Sequence, residues 1–508
     1  KALGNDLLLH PRLRHTDCSD RSTFYNLSYK CISHIMRLFS NVTTSLTILA
    51  IVFTSTLSAT SFARTPDLEA NKNERALSNP SYILGQYWFR KLNGSRALID
   101  FPPAYNYLKD ALSQILPQTN LYNTTVEMTV LNSSQSNAFV IPGNHLFIYS
   151  DIMEMITSED MLYGLLAHEI AHLDLRHYER QTKHSGEELQ KTLVMLGAGI
   201  AAALAGAGSD ATTALWLGGI ANQAENTLTY SRNQEQEADR RGREYLINAD
   251  LAPDGMTKLF QAFFKQALGR PKLEFLSTHP SPNSRLSDSF STDTKETILS
   301  NKVATDFEYF RATLLAYRAG IEDKPLTYLD QKIQDSDARN FAKGLFSYLV
   351  QSPGRALDFL SLLEKHNEFT DYLQAISYAA ADKKDQGLAI VKMRLDLDPK
   401  NIIFSMLYAE LTQSKPASIS SNYLYEQRLI WRTNIQYYQS INNIPMALNY
   451  RALLDFSQGK DKTAEYLIKR AENDAENSQK NTIQKTAEKF KIINEAEKQE
   501  DLEKDNNS

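Results

Sequence analysis

Between positions 158 and 175 the chain reads Ser-Glu-Asp-Met-Leu-Tyr-Gly-Leu-Leu-Ala-His-Glu-Ile-Ala-His-Leu-Asp-Leu. Leu162, Leu165, Leu166, Ile170 and Leu173 recur at helical spacing, and Ser158-Glu159-Asp160 supplies a polar start with acidic residues in the first turn. The segment predicts an apolar-striped helix that carries an H-E-x-x-H element. Two histidines four apart differ by about 400° of rotation, so His168 and His172 leave one face a turn apart. That spacing lets both reach one Zn²⁺ at about 2.0–2.1 Å. Glu169 lies about 100° round the helix, where it can reach a water at the same centre. The competing reading is a surface helix with two chance histidines, and the surrounding sequence has to decide.

At 508 residues the chain is long enough for two or three domains. Its 42% apolar and 23% charged composition is that of a globular protein, and a net charge of −5 leaves no basic footprint for nucleic acid. Met36-Arg37 opens a segment with an apolar core over residues 46–56, followed by Ser61-Phe62-Ala63, a small-x-small pattern. We read 36–63 as a signal peptide cleaved after Ala63, with an uncleaved anchor as the alternative. Residues 1–35 then read as upstream sequence or a cytoplasmic extension. Cys18 and Cys31 both precede the cleavage site, so any metal in the mature chain must be held by His, Glu or Asp.

Residues 81–91 and 103–116 read as helices, 124–131 as a strand, and 137–141 and 145–149 as two extended runs around Pro142-Gly143-Asn144. Residues 193–208 lack any charge. They fit a buried helical hairpin, a membrane-surface or partner-contacting element, or a span, although a span needs about twenty apolar residues. Helices follow over 233–248 and 253–268, then a proline-punctuated loop. Beyond residue 300 helices alternate with short turns: 341–349 with 356–363, 372–381 with 387–395, and 447–456 with 463–471. Ala356 and Ala389 are 33 residues apart, close to the period of about 34 that marks tetratricopeptide repeats; an unrelated helical bundle is the alternative. From about 472 the chain is nearly all polar and reads as a frayed helix or a disordered tail.

Two histidines leave a catalytic zinc one protein ligand short. Glu235-Gln236-Glu237-Ala238-Asp239 is the best source, since Glu235 and Asp239 share a helical face. One carboxylate can bind the metal while the other fixes a ligating imidazole. Glu237 points elsewhere, and a solvated acidic face is the bland reading of the run.

His168-Glu169-x-x-His172, Ser231-Arg232-x-x-Glu235-x-x-Ala238-Asp239 and Thr278-His279-Pro280-x-Pro282-x-x-Arg285, in that order, resemble the zinc metallopeptidases grouped around the CAAX-prenyl proteases and the heat-shock protease HtpX. Asn137-Ala138-Phe139-x-x-Pro142-Gly143 is similar to the segment before their zinc helix, except that Asn144-His145 stands where relatives usually have a second glycine.

The resemblance implies an α+β zincin-like (gluzincin) metallopeptidase domain over 64–300, followed by an all-α tetratricopeptide-repeat-like solenoid over 301–475 and a charged tail over 476–508. It implies one Zn²⁺ per chain on His168, His172 and Glu235, with Glu169 as general base and Asp239 behind a ligating histidine, His168 being the expected partner. His279 is implied as a fourth ligand, a shield or a transition-state stabiliser, with Arg285 aiding. Asn137, Ala138 and Phe139 would form an edge strand that pairs with substrate backbone. By the same resemblance the protein acts in the periplasm on unfolded or misassembled outer-membrane proteins. Its repeats would dock the outer-membrane β-barrel assembly machinery, with peripheral membrane contact. A chaperone or scaffold with a latent protease site is the alternative. His177 invites comparison with a third zinc histidine, but Leu175 and Tyr178 stand where that pattern needs Gly and His, so it reads as a packing residue. His145, His184 and His366 read as surface or structural.

Overall fold

A three-stranded sheet is built from runs whose alternate residues face two separate cores. The structure, a computed structural model, describes residues 73–77, 79–95, 97–180, 230–267, Phe275, His279 and 301–506. The leader at 36–63, both cysteines, His184, the 193–208 segment, Pro280, Pro282 and Arg285 lie outside the described residues.

Strand β1 (Glu127–Leu131) runs parallel to β3 (His145–Tyr149), and β2 (Ala138–Ile141) pairs antiparallel with β3, giving the order β1-β3-β2. Met128, Val130, Ala138, Val140, Leu146 and Ile148 face the main core, whereas Leu131, Phe139, Ile141 and Phe147 pack with Trp88 and Phe89 of helix α1 (Pro80–Asn93). Both faces are covered, so the strands read as near-continuous apolar runs. The β2–β3 connection takes Gly143 and Asn144 through φ 87° and 60°. Asn144 tolerates the left-handed conformation, and its side-chain amide donates to Asn123 O at 2.7 Å, so the turn closes without the second glycine.

Helix α2 (Pro102–Ile115) lies beneath the sheet. Helix α3 (Glu159–Asp174) carries the H-E-x-x-H element and is buried all round from Met161 to His172, a deeper placement than its apolar stripe alone requires. It packs against β2, α4 (Arg232–Asn248) and α5 (Asp254–Ala267). Two glycines allow that approach: a Cβ on Gly242 would lie 2.9 Å from Ala167 O, and one on Gly164 would lie 2.7 Å from Met256 N.

The remaining described residues form helices α6 (Asn301–Ile321), α7 (Thr327–Lys332), α8 (Ser336–Leu349), α9 (Pro353–Leu360), α10 (Glu368–Ala380), α11 (Lys384–Leu397), α12 (Ile402–Thr412), α13 (Leu424–Ser440), α14 (Ile444–Ser457), α15 (Asp461–Asp474) and α16 (Asn477–Asn506). They are continuous with the sheet domain: one apolar cluster runs from Ile99 to Leu373. Arg311 Nε donates to Met153 O at 3.1 Å and Ile156 O at 3.0 Å, capping the short helical turn before α3, while Arg318 pairs with Asp151 and Glu154.

Small residues sit where α8 crosses α9 and where α10 crosses α11. Gly344 meets Ala356 and Leu360, and Gly387 meets Ala375 O, so the two crossings are displaced by 31 residues. Ala389, the expected partner of Ala356 in register, is exposed. Of the two readings of the polar C-terminal stretch, the structure takes the helical one. Helix α16 buries Ile483 and Phe490 against α14 and α15, and its Glu497 pairs with Arg90 of α1 at 2.7 Å.

Candidate metal centre

Helix α3 presents His168 and His172 on one face, as the four-residue spacing requires, with their Nε2 atoms 3.1 Å apart. Helix α4 lies alongside. Its start is fixed by a capping box in which Ser231 and Gln234 satisfy each other's backbone. From this frame Glu235 reaches between the imidazoles: Oε1 stands 3.4 Å from His172 Nε2 and Oε2 stands 3.7 Å from His168 Nε2. His279 completes the group, with Nδ1 3.3 Å from His168 Nε2 and 3.0 Å from Glu235 Oε1. All four side chains are buried, and one ligand atom from each lies within 4.8 Å of the others.

The donor set fits zinc. Ligands at about 2.0–2.1 Å in a tetrahedron stand roughly 3.3–3.4 Å from one another, and the observed separations of 3.0–3.7 Å bracket that edge. Three imidazole nitrogens turned toward one another around a carboxylate are what a cation organises. Asp239, one turn beyond Glu235, accepts from His168 Nδ1 at 2.9 Å, leaving the Nε2 lone pair for the centre.

Glu169 is fully buried on α3, and its Oε1 stands 3.5 Å from His279 Nε2. Aromatic rings wall the centre: Tyr230 stacks on His172 with centroids 3.9 Å apart, and Phe275 stacks on His279 at 4.4 Å. Burial, reinforced by the nearby Glu169 and Glu235 carboxylates, holds the Tyr230 phenol well above its ordinary range, so it stays protonated.

Sequence reasoning set His177 aside and aimed Glu237 elsewhere. In the structure His177 Nδ1 lies 2.9 Å from His172 Nδ1, and its Nε2 lies 3.2 Å from Glu237 Oε2. Burial pushes the His177 imidazole down to about 4 against the pull of Glu237. Tyr230, directly before the Ser231-Arg232 motif, carries no motif signal of its own. Asn137, Ala138 and Phe139 lie at or beside β2, one of the two outer strands among the described residues, with Asn137 O accepting from Tyr149 N at 2.9 Å and Phe139 stacked on Phe147. His145 is a buried structural residue stacked on Phe89, its Nε2 2.9 Å from the Gln86 amide nitrogen. His366, half exposed, pairs with Asp371.

Residues 103–289 match the family model of Peptidase family M48. They are an M48 peptidase domain. The chain is similar to the β-barrel assembly-enhancing protease of Escherichia coli K12, 27% identical over 269 residues, which cover 52% of this chain and 55% of that protein. It is also similar to a putative β-barrel assembly-enhancing protease of Vibrio cholerae, 26% identical over 326 residues, covering 61% and 66%. The mitochondrial metalloendopeptidase OMA1 of Schizosaccharomyces pombe is 29% identical over 222 residues, covering 42% and 59%. The chain thus spans about half the length of the curated relatives it matches. The M48 domain is that of a metallopeptidase, and the helical region that follows it packs on the same core. Among the described residues no helix is long and apolar enough to cross a membrane.

Proposed function

We propose that this chain is an exported zinc-dependent endopeptidase that hydrolyses unfolded or misassembled proteins, including outer-membrane proteins. One observation carries the reading: His168, His172 and Glu235 converge at ligand spacing beside a buried Glu169. Zinc bound there supplies a Lewis acid and makes a water easier to deprotonate. Glu169, held within the packed helix α3, takes a proton from the attacking water and gives it to the amine nitrogen as the peptide bond breaks. His168 holds its orientation through Asp239. Arg285 would aid the transition state from the loop that follows His279.

The substrate would add as a strand to β2 along Asn137, Ala138 and Phe139, pairing through its backbone with little sequence preference. Support comes from the position of β2 at the edge of the sheet and from its packing against α3. The recurring small-residue crossings of α8–α11 support a tetratricopeptide-like surface that docks a protein partner. The names of the two β-barrel assembly-enhancing proteases support the outer-membrane β-barrel assembly machinery as that partner, and the apolar 46–56 segment with Ser61-Phe62-Ala63 supports export to the periplasm.

The test is casein cleavage by the full chain and its Glu169→Gln variant, with metal analysis of both. We expect one zinc per chain in each and cleavage by the first alone; equal cleavage would remove the assignment. A second reading, a chaperone or scaffold with a latent protease site, is favoured by His279 standing among the ligands. It requires Glu169→Gln to leave the cellular function intact.

A further inference from the structure

His172 offers Nε2 to the centre, so its ring proton sits on Nδ1 and needs an acceptor. That Nδ1 faces His177 Nδ1 at 2.9 Å. If His177 accepts there, its own proton lies on Nε2, which faces Glu237 Oε2 at 3.2 Å. A carboxylate can only accept, so the direction of the whole chain is set from Glu237 back to His172.

We propose that His177 is a positioning residue for the His172 ligand, relaying the Glu237 carboxylate to it through two consecutive hydrogen bonds. This rests on the zinc reading above. Helix α4 then serves both imidazoles of α3: Asp239 backs His168 directly, Glu237 backs His172 through His177, and Glu235 between them enters the centre.

The backbone is shaped for this contact. Residues five apart on a continuous helix are separated by about 140° and do not face each other. Arg176 breaks α3 with φ 51°, swinging His177 back beneath His172. Gln234 Nε2 then donates to His177 O at 3.0 Å, tying the turn to the start of α4. Arg180 Nη1, 3.0 Å from Glu237 Oε2, steadies the outer carboxylate, and His177 itself is fully buried.

The test uses the full chain as wild type, His177→Leu, His177→Asn and Glu237→Ala. Zinc affinity is read by competition with a chromophoric chelator, and ligand geometry by the visible spectrum of the cobalt-substituted protein. We expect His177→Leu, which keeps bulk but cannot accept, to weaken zinc binding by about 10–100-fold and to shift the cobalt bands. His177→Asn places an amide oxygen near the lost Nδ1 but drops the contact to Glu237, so it should recover affinity to about the level of Glu237→Ala. Glu237→Ala, at a partly exposed site that does not threaten folding, should weaken binding severalfold. Wild-type affinity and spectrum in His177→Leu or Glu237→Ala would overturn the relay. So would His177→Asn binding as weakly as His177→Leu, which assigns the loss to packing. A wild-type chain that takes up no zinc would instead bring down the metal-centre reading and the relay with it.

Discussion

His279 Nδ1 stands 3.0 Å from Glu235 Oε1 while its Nε2 stands 3.5 Å from Glu169 Oε1. A single ring thus touches both Glu235 and the proposed base. Replacing it should open the site. We expect His279→Ala to raise casein turnover severalfold while three ligands retain zinc. A fall in turnover with zinc intact would instead make His279 a stabiliser of the transition state.

Glu169→Gln keeps the shape of the side chain and removes its basicity. Cleavage should drop by about 10²–10⁴-fold, the usual worth of a positioned acid–base group. Zinc content, measured by atomic emission, should stay at that of the wild type, because Glu169 is not one of the four converging side chains His168, His172, Glu235 and His279.

Asp239 accepts from His168 Nδ1 at 2.9 Å. Asp239→Ala leaves that ring without its orienting partner and should weaken zinc binding by about 10–100-fold in chelator competition. Asp239→Asn, which keeps an acceptor oxygen, should lose less.

Glu159, in the first turn of α3, makes the stability of the fold depend on pH. Burial, with the charges of Asp160 and Asp306, raises its carboxyl from 4.5 to about 7, although the Tyr107 hydroxyl donates to it at 2.7 Å. A raised acid binds its proton more tightly in the folded state. Its contribution is therefore intact below the unfolded value of 4.5 and is lost as pH rises through about 7. Glu159→Gln should leave the melting temperature unchanged at acid pH and raise it by a few degrees at alkaline pH, as read by calorimetry.

Phe490 of α16 is 2% exposed and stacks on Phe456 with centroids 4.2 Å apart. Phe490→Ala should cost about 3–5 kcal/mol in urea unfolding, the range for deleting a buried phenyl ring. A tail that merely frayed in solvent would show no such loss.

Much of this arrangement was legible along the chain. The extents of β2, β3, α3 and α4 follow from local alternation, capping and helical spacing, and these elements carry His168, Glu169, His172, Glu235 and Asp239. The polar segment after residue 472 was ambiguous because Ile483 and Phe490 are too sparse to show as a periodic face. Their burial depends on α14 and α15 standing opposite. Ala389 misled for a related reason: the repeat register is set by which small residue meets a neighbouring backbone, and Gly387 does so at Ala375 O.

The H-E-x-x-H spacing by itself determined that two imidazoles share one helical face, because rotation per residue is a local property of the backbone. Tertiary structure decided everything those imidazoles meet on their other sides. His279 arrives from 111 residues beyond His168, and His177 arrives by a left-handed turn at Arg176 that breaks the helical register. Glu237, two residues from Glu235, becomes a partner only because α4 packs against α3 closely enough for Gly242 to meet Ala167. Periodicity can be read from neighbours in sequence, but the second contact of each histidine depends on the close packing of separate elements.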